Sequence, residues 1–511
     1  MNDSTNGPGS SALEYAPHHE MMRGVDQLFF QCERYSDKRV GGIGVYVLDR
    51  MPAWDKVEYT FERLSREFLR LRQRVVEPIG GIGPAYWAVD PDFDIKYHLR
   101  RIQLSAGTPL RTVVDRLEVE LMSPFDLARP LWYAMLFEGL EGGRSALALY
   151  SSHAVGDGMA GQKMLPLLFD SSRHASRRSM PPVPITADLS SQEVSAKMRR
   201  WLPRAAIEGV GDLASSAVNF GGRLLRHPKV TTKEVRELVE SLQSLSASSI
   251  QPSPLLAGRS ISRRVTWIEL SLQDLKQASK AAGGTVNDGF LAGLSGALGR
   301  YHQALGMPLD TIPVVVPISI RAKDSEIGGN YFTHGLLVAP IGEPDPERRV
   351  RDIHDQIQRE RDKAHYDFTG FASRFIGYMP PAIVDKVLGS ASAPDLQASN
   401  VPGAREDLFL AGARVEKTIG IGPVAGLAMM AGLTSHQDAG TVTVTYDPAA
   451  IRDAKLFQKC LERGFAEILD FAPRSARRST SRRPQTRASR SRGATRTMTS
   501  TTRRKTPSRA T

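Results

Sequence analysis

Hydrophobic and polar positions alternate with two different periods between residues 13 and 170. The apolar runs GIGVYVLD and SALALYSS, at 42–49 and 145–152, are short and follow a two-residue period, which predicts strands. The runs WDKVEYTFERLSREFLRLRQRVV and PLRTVVDRLEVELMS, at 54–76 and 109–123, place apolar residues three or four positions apart, which predicts helices. Because the two periods recur in turn, this part of the chain is predicted to be a mixed α/β subdomain.

A second alternating segment extends from residue 261 to residue 471 and predicts another α/β subdomain of similar size. Its predicted strands are RVTWIELSL, IPVVVPISI and GTVTVTYD, and its predicted helices are SLQDLKQASKAAG, NDGFLAGLSGALGRYHQALG, ERRVRDIHDQIQRERDKAH and AKLFQKCLERGFAEIL. Residues 171–260 begin and end in Ser/Arg/Pro-rich sequence but contain helix-like segments within 201–230 and 234–245. This middle stretch is predicted to be a long crossover linker with helices.

The two ends of the chain differ from its body. Residues 1–12 are predicted to be a disordered leader, and residues 472–511 a disordered Arg/Ser/Thr-rich basic tail, because neither has much apolar surface to bury. The formal net charge is +12, but residues 473–511 alone contain twelve arginines, one lysine and no acidic residue, which leaves the remaining chain near −1. Nucleic acid is therefore an unlikely partner, except through non-specific attraction to the tail.

Composition narrows the class of protein further. Hydrophobic residues at 41% and charged residues at 24% are ordinary for a globular chain. The two cysteines, Cys32 and Cys460, lie far apart and fit neither a disulfide framework nor a metal site, which favours a cytoplasmic setting. The charge-free stretch from Thr418 to Ser435 has the length of a membrane span, but Pro423 and four glycines favour a loop and a strand. We therefore expect no transmembrane helix.

One histidine stands at the end of a predicted strand. In SALALYSSH the side chains of Leu149, Ser151 and His153 are expected on one face of the strand, and that of Ser152 on the other. The sequence GDG at 156–158 then predicts a tight turn. The pattern H-x-x-x-D-G is weak by itself, and a lone histidine in such a place is more often structural than catalytic.

Other segments of the chain add weight to the interpretation of this histidine motif. The sequence SHAVGDG at 152–158 resembles the H-H-x-x-x-D-G signature of the bacterial wax ester synthase/acyl-CoA:diacylglycerol acyltransferase family, with serine in place of the first histidine. Four other segments resemble elements of that family in the same order: Pro130-Leu131-Trp132, Asn287-Asp288, the strand from Pro317 to Arg321, and Ser399-Asn400-Val401-Pro402-Gly403. Together they cover residues 13–471. The chain is identified as similar to this family over nearly all of its length.

The resemblance implies a fold and a reaction. The implied fold is two pseudo-equivalent subdomains like chloramphenicol acetyltransferase and condensation domains, with an active-site tunnel between them. The implied reaction is transfer of a long-chain acyl group from acyl-CoA to diacylglycerol or a long-chain alcohol, with acyl-CoA as co-substrate and no other cofactor or metal. A neutral imidazole suits deprotonation of the alcohol, so His153 is the predicted general base. Binding to the inner membrane face or to lipid droplets is an accompanying expectation.

The resemblance also suggests roles for the other motif residues. Asp157 either orients His153 or braces the turn through an ion pair, and the brace with Arg321 is favoured. Gly158 belongs to the same turn. Ser152 is expected to keep a polar contact that supports the site without touching the substrate. Asn287 and Asp288 either contact the substrate or simply begin a helix. The remaining predicted substrate-binding residues are Pro130, Leu131, Trp132, Ser399 and Asn400, which could equally shape the fold and the tunnel wall.

Two alternatives stay open at the level of sequence. Loss of the first motif histidine is compatible with a weakened family member that acts as a lipid-binding or membrane-associated scaffold, since Trp201 and nearby arginines could lie on a membrane. A serine-nucleophile mechanism could use Ser151, but the chain contains no G-x-S-x-G motif. No phosphate-binding loop, dinucleotide fingerprint or metal-ligand cluster competes with the acyltransferase prediction.

Overall fold

The structure is a computed structural model that describes residues 19–81, 83–156, 158–186, 189–207, 252–319, 332–363 and 394–470. The predicted leader, the basic tail and the helix-like segment at 234–245 lie outside the described residues, as do Asp157 and Arg321. The other predicted site residues lie within the described ranges.

The first half of the chain supplies seven strands and six helices to the described structure. The strands are β1 (His19–Met21), β2 (Gly41–Leu48), β3 (Gln73–Val76), β4 (Tyr86–Val89), β5 (Leu99–Thr108), β6 (Trp132–Leu140) and β7 (Ser145–Ser152). The helices are α1 (Gly24–Cys32), α2 (Trp54–Glu67), α3 (Ile95–His98), α4 (Leu110–Met122), α5 (Gly158–Leu168) and α6 (Ser191–Ile207).

The second half supplies eight strands and four helices to the described ranges. The strands are β8 (Arg264–Ser271), β9 (Ile312–Ser319), β10 (Phe332–Ala339), β11 (Leu396–Val401), β12 (Phe409–Leu410), β13 (Ala413–Ile421), β14 (Met429–His436) and β15 (Ala439–Tyr446). The helices are α7 (Leu272–Ala281), α8 (Val286–Ala304), α9 (Pro346–Lys363) and α10 (Ala454–Leu469). The strands and helices predicted for this half are confirmed, with ends that shift by one or two residues.

One predicted helix is too long. The run at 54–76 was expected to be a single helix, but α2 ends at Glu67 and the chain continues as a short 3₁₀ turn and then as β3. Strand β3 pairs with β4, and its two valines at 75 and 76 are buried. Pairing with a distant strand therefore overrides the helical period of the local sequence.

Two six-stranded sheets dominate the architecture. The first has the strand order β12-β13-β2-β7-β6-β5, and the second β10-β9-β11-β14-β15-β8; β1, β4 and β3 form a small third sheet. Each large sheet has its own hydrophobic core, one built mainly from the first half of the chain and one from the second. This confirms the predicted mixed α/β fold class.

The second half of the chain contributes two strands to the first sheet. Strands β12 and β13 lie late in the sequence, yet they complete the first sheet, where β13 pairs antiparallel with β2 from Val415↔Leu48 to Ile421↔Ile43. The predicted subdomains divide the chain by sequence position and do not anticipate this pairing. Their boundaries stay a prediction. In this position β13 packs against β14 of the second sheet, and residues of both strands line the space between the sheets.

We expect Ile419→Ala to lower the free energy of unfolding by about 2–5 kcal/mol, because Ile419 of β13 is 1% exposed in the first core. Denaturant titration followed by tryptophan fluorescence measures the change. Ile261→Ala is the matched control: Ile261 is 62% exposed, so its truncation should change the free energy by less than about 0.5 kcal/mol. Equal effects of the two substitutions would contradict a structural role for β13 in the first sheet.

Candidate active site

His153 lies in the turn that follows β7. Its backbone N–H donates to the carbonyl oxygen of Val40 at 3.2 Å, which ties the turn to the residue before β2. The imidazole of His153 and the ring of Phe29 make an edge-to-face contact, with their centroids 6.1 Å apart. The imidazole is therefore held between the end of β7 and helix α1.

A pair of glycines makes room for the rings on the two faces of β7. A side chain at Gly41 would collide with the ring of Tyr150, which packs into the core. A Cβ at Gly42 would lie 3.2 Å from Cε1 of His153, on the opposite face. Glycine in a strand marks a close approach of this kind, and here it lets the imidazole lie against the backbone of β2.

A cavity of about 270 Å³ opens beside His153, between the two large sheets. The first sheet contributes β2, β7 and β13 to its wall, and the second sheet contributes β11 and β14. Much of the wall is apolar or glycine; representative members are Ile43, Val45, Leu149, Met164, Leu165, Ile419, Met430 and Leu433. A space of this size and character suits a hydrocarbon chain better than a charged metabolite.

A few polar side chains line the same cavity. Ser151 lies on the same face of β7 as His153, as the strand period predicted, and Ser399 contributes from β11. Thr434 also lines the cavity, and its buried hydroxyl has no hydrogen-bond partner among the described residues. Burial raises the pKa of Tyr46 to about 12, which keeps its phenol neutral.

Ser152 points away from the cavity and contacts a buried carboxyl group. Its hydroxyl donates to Oε1 of Glu33 at 2.6 Å and accepts from the backbone N–H of Ala154 at 3.2 Å. Burial raises the pKa of Glu33 to about 7, although the hydroxyl of Ser152, the amide of Val40 and the charge of Arg39 all act to lower it. The polar contact expected for Ser152 is therefore present.

Pro130, Leu131 and Trp132 lie behind the site. Leu131 and Trp132 are fully buried, and Trp132 donates from its indole nitrogen to the carbonyl oxygen of Leu71 at 2.7 Å. The carbonyl oxygen of Leu131 accepts from the backbone N–H of Ser152 at 3.0 Å. The structure thus places this segment in support of β7, and it does not line the cavity that contains His153.

Asn287 and Asp288 lie at the start of α8. Asp288 is 1% exposed and forms a reciprocal capping box with Thr285. One of its oxygens also contacts Nδ1 of His354 at 2.7 Å. These contacts give Asp288 a structural role, and neither residue lines the cavity beside His153.

The segment 399–403 is divided between cavity and scaffold. Ser399, Val401, Pro402 and Gly403 line the cavity, whereas Asn400 does not. A side chain at Gly403 would overlap the carbonyl oxygen of Ser435, so glycine is required where this loop packs on β14. Gly158 begins α5 next to the site, and the predicted pair of Asp157 with Arg321 lies outside the described residues.

Metal-ligand clusters and membrane spans are both absent from the described part of the chain. It contains no group of three histidine, cysteine, aspartate or glutamate side chains arranged to hold a metal ion. None of its helices combines the length and the apolar character that crossing a bilayer requires.

Sequence reasoning missed Glu33 and Gly42. A single glutamate at the end of an amphipathic helix carries no signal that it will be buried. The adjacent glycines at 41 and 42 did carry one, because paired glycines inside a predicted strand indicate that another group approaches the backbone closely.

Two family models match the chain. The model described as the wax ester synthase/diacylglycerol acyltransferase catalytic domain matches residues 22–290, and the WS/DGAT C-terminal domain matches residues 328–469. The chain belongs to the wax ester synthase/diacylglycerol acyltransferase family. The resemblance inferred from its motifs is confirmed, and the family supports the predicted acyltransferase class of activity.

Relatives match over similar lengths. A Mycobacterium tuberculosis protein that carries a provisional diacylglycerol O-acyltransferase name is 42% identical over 448 residues, which is 88% of this chain and 91% of the relative. The O-acyltransferase WSD of Acinetobacter baylyi is 26% identical over 427 residues, or 81% of this chain and 89% of that protein.

Solved structures show the same fold. The wax ester synthase/diacylglycerol acyltransferase from Marinobacter aquaeolei VT8 superimposes with a TM-score of 0.60 at 20% identity, covering 89% of this chain and 100% of that one. The first condensation domain of the CDA synthetase gives 0.55 at 17% identity, covering 90% and 98%. The likeness to condensation domains that the motifs implied is therefore confirmed at the level of fold.

Glu33→Gln should change how stability depends on pH. The pKa of Glu33 is raised from 4.5 to about 7, so between these values the folded chain holds a proton that the unfolded chain has released. The free energy of unfolding should therefore fall with rising pH across this window, and the Glu33 contribution to that fall should be about 3 kcal/mol.

Urea unfolding of wild type and Glu33→Gln between pH 4.5 and 7.5 measures this contribution as the difference between their slopes. Glu120→Gln is the control, because Glu120 is also buried and accepts a hydrogen bond from the Tyr133 hydroxyl at 2.9 Å. Its slope shows whether the loss of another buried carboxyl group changes the pH dependence to the same degree. Parallel curves for wild type and Glu33→Gln would show that the carboxyl group ionises normally.

Proposed function

We propose that this protein transfers a long-chain acyl group from acyl-CoA to the hydroxyl of diacylglycerol or of a long-chain alcohol, with His153 as general base. The products are triacylglycerol or a wax ester, together with free coenzyme A. The observation that carries the proposal is the position of the His153 imidazole on the wall of a largely apolar cavity between the two sheets. Family membership supports the reaction class, and the cavity supports the oily substrates.

The proposed reaction needs one proton to move twice. The imidazole of His153 takes the proton of the acceptor hydroxyl as its oxygen attacks the thioester carbonyl carbon. The carbon–sulfur bond then breaks, and the imidazolium returns the proton to the departing thiolate, so the ring ends in its starting state. General acid–base assistance of this kind is typically worth about 10²–10⁴-fold in rate.

The cavity wall supplies the remaining contributions. Apolar burial stabilises a bound acyl chain by about 0.8 kcal/mol per methylene group. Orientation of two reactants in one enclosed space can reach effective molarities of about 10⁵–10⁸ M. We further propose that the cavity forms part of a tunnel through which acyl-CoA and acceptor arrive from separate sides.

The setting of the reaction stays a prediction. Acceptors of this class are found in membranes and lipid droplets, so peripheral binding to such a surface would bring the enzyme to them. The arginines at 473–511 could contribute by attraction to anionic headgroups. No observation favours the scaffold alternative over catalysis, because a cavity lined by a histidine suits catalysis as well as lipid binding.

His153→Ala should reduce transfer from labelled palmitoyl-CoA to diolein and to hexadecanol by at least about 10²-fold, because it removes the proposed base. Product separated by thin-layer chromatography gives the rate. Product formation at the wild-type rate would remove His153 from the mechanism, and no product from either protein would favour the scaffold.

Ser151→Ala is the companion variant, since Ser151 shares the strand face and the cavity with His153. Direct transfer requires no acyl-serine, so Ser151→Ala should keep activity within about 10-fold of wild type. Complete loss, accompanied by an acyl adduct on Ser151 in the wild-type mass spectrum, would instead establish a serine-nucleophile mechanism.

Gly432→Val should shift acyl preference toward shorter chains. A Cβ at Gly432 would meet only the carbonyl oxygen of Gly420, at 3.7 Å, so a side chain fits there and occupies cavity space. Displacing about two methylene groups costs roughly 1.6 kcal/mol, so the kcat/KM ratio of palmitoyl-CoA to lauroyl-CoA should fall about 10-fold. An unchanged ratio would place the acyl chain elsewhere.

A further inference from the structure

Every backbone N–H from Ser152 to Val155 is hydrogen-bonded. Ser152 donates to Leu131 at 3.0 Å, and His153 donates to Val40 at 3.2 Å. Val155 donates to the carbonyl oxygen of Ser152 at 3.0 Å. The N–H of Ala154 differs from the others, because it donates to a side chain, the Ser152 hydroxyl, at 3.2 Å.

That hydroxyl is itself oriented by Glu33. Because the Ser152 oxygen accepts from Ala154, its own proton is directed to Oε1 of Glu33, at 2.6 Å. Both side chains are buried, Ser152 completely and Glu33 to within 2%, so water cannot compete for the bond. A hydrogen bond from a hydroxyl to a carboxyl group in such a setting is strong and directional.

Helix α1 thereby holds the turn at more than one point. Glu33 is the C-cap residue of α1, and the ring of Phe29 in the same helix makes an edge-to-face contact with the His153 imidazole. The Val40 amide stabilises the carboxylate of Glu33, while the Val40 carbonyl accepts from His153. Ser152 therefore binds Glu33, His153 binds Val40, and Ala154 is connected to Glu33 through the Ser152 hydroxyl.

We propose that Glu33 is a positioning residue for His153, acting through the Ser152 hydroxyl. The proposal rests on the proposed function, in which His153 is the base. Serine is suited to this role because its short side chain reaches the carboxyl group and the Ala154 N–H at once. The serine in place of the first signature histidine is thus a functional part of the site in this chain, and its loss would misplace the imidazole relative to the acceptor hydroxyl.

The test compares kcat and KM of Ser152→Ala, Glu33→Ala, Glu33→Gln and the double variant Glu33→Ala/Ser152→Ala in the palmitoyl-CoA and hexadecanol assay. Ser152→Ala removes a single oxygen atom and should fold normally. We expect kcat to fall about 10-fold in each alanine variant with both KM values unchanged, since a displacement of about 1 Å can cost up to 10²-fold. Glu33→Gln, whose amide oxygen can still accept from Ser152, should retain most of the activity.

The double variant decides whether the two residues act together. If Glu33 acts through Ser152, the kcat of the double variant should be no lower than that of the less active single variant, because both substitutions break the same connection. Multiplicative losses would overturn action through Ser152. Wild-type kcat in both alanine variants, or a loss confined to KM, would overturn the positioning role altogether.

Two further variants separate failure of this proposal from failure of the proposed function. Activity retained by His153→Ala would overturn the proposed function and this proposal together, whereas an inactive His153→Ala beside fully active Ser152→Ala and Glu33→Ala would overturn this proposal alone. Glu120→Ala is the matched control, as it breaks a buried bond between a carboxyl group and the Tyr133 hydroxyl. Glu120→Ala should lose stability but keep kcat within about twofold. If its kcat fell as far as that of Glu33→Ala, the specific role of Glu33 would be overturned, because another buried carboxyl group would then matter to the same degree.

Discussion

The pairing of β13 with β2 is the constraint on which the rest of the structure depends. Strand β13, from the second half of the chain, pairs with β2, so the first sheet lacks its full set of strands without the second half. Buried backbone N–H and C=O groups must be hydrogen-bonded, so separating β13 from β2 would be costly. Strand β13 also packs against β14 of the second sheet, and residues of both strands line the cavity.

Glycines decide how the cavity is shaped at its walls. Gly420 of β13 lies so close to the Thr434 side chain of β14 that a Cβ would approach it to 2.5 Å, and Gly422 bears the same relation to Met430. Small residues let the two sheets approach closely at these points, while larger apolar residues line the remaining wall. A hydrocarbon chain would fit a space of this kind, and the imidazole of His153, the proposed general base, lies on its wall.

The site also places polar groups on opposite faces of one strand. Ser151 and His153 face the cavity, and Ser152 faces the buried carboxyl group of Glu33. If the cavity holds the acyl chain as proposed, this separation keeps the ionisable side chain of Glu33 away from it. The same fold is retained by the Marinobacter enzyme at 20% identity, as expected when a fold is specified by strand pairing and buried apolar pattern more than by particular side chains.

The sequence by itself determined the alternation of strands and helices, the family motifs, and the face of β7 on which His153 lies, because these follow from local periods and from residues close together in the chain. It could not show that residues 73–76 pair with β4, that β13 joins the first sheet, or that Asp288 is bound in a capping box and to His354. It also gave no indication that Glu33, 119 positions before Ser152, would bind its hydroxyl. Those features depend on which distant segments meet and which groups are buried together, and only the folded chain decides that.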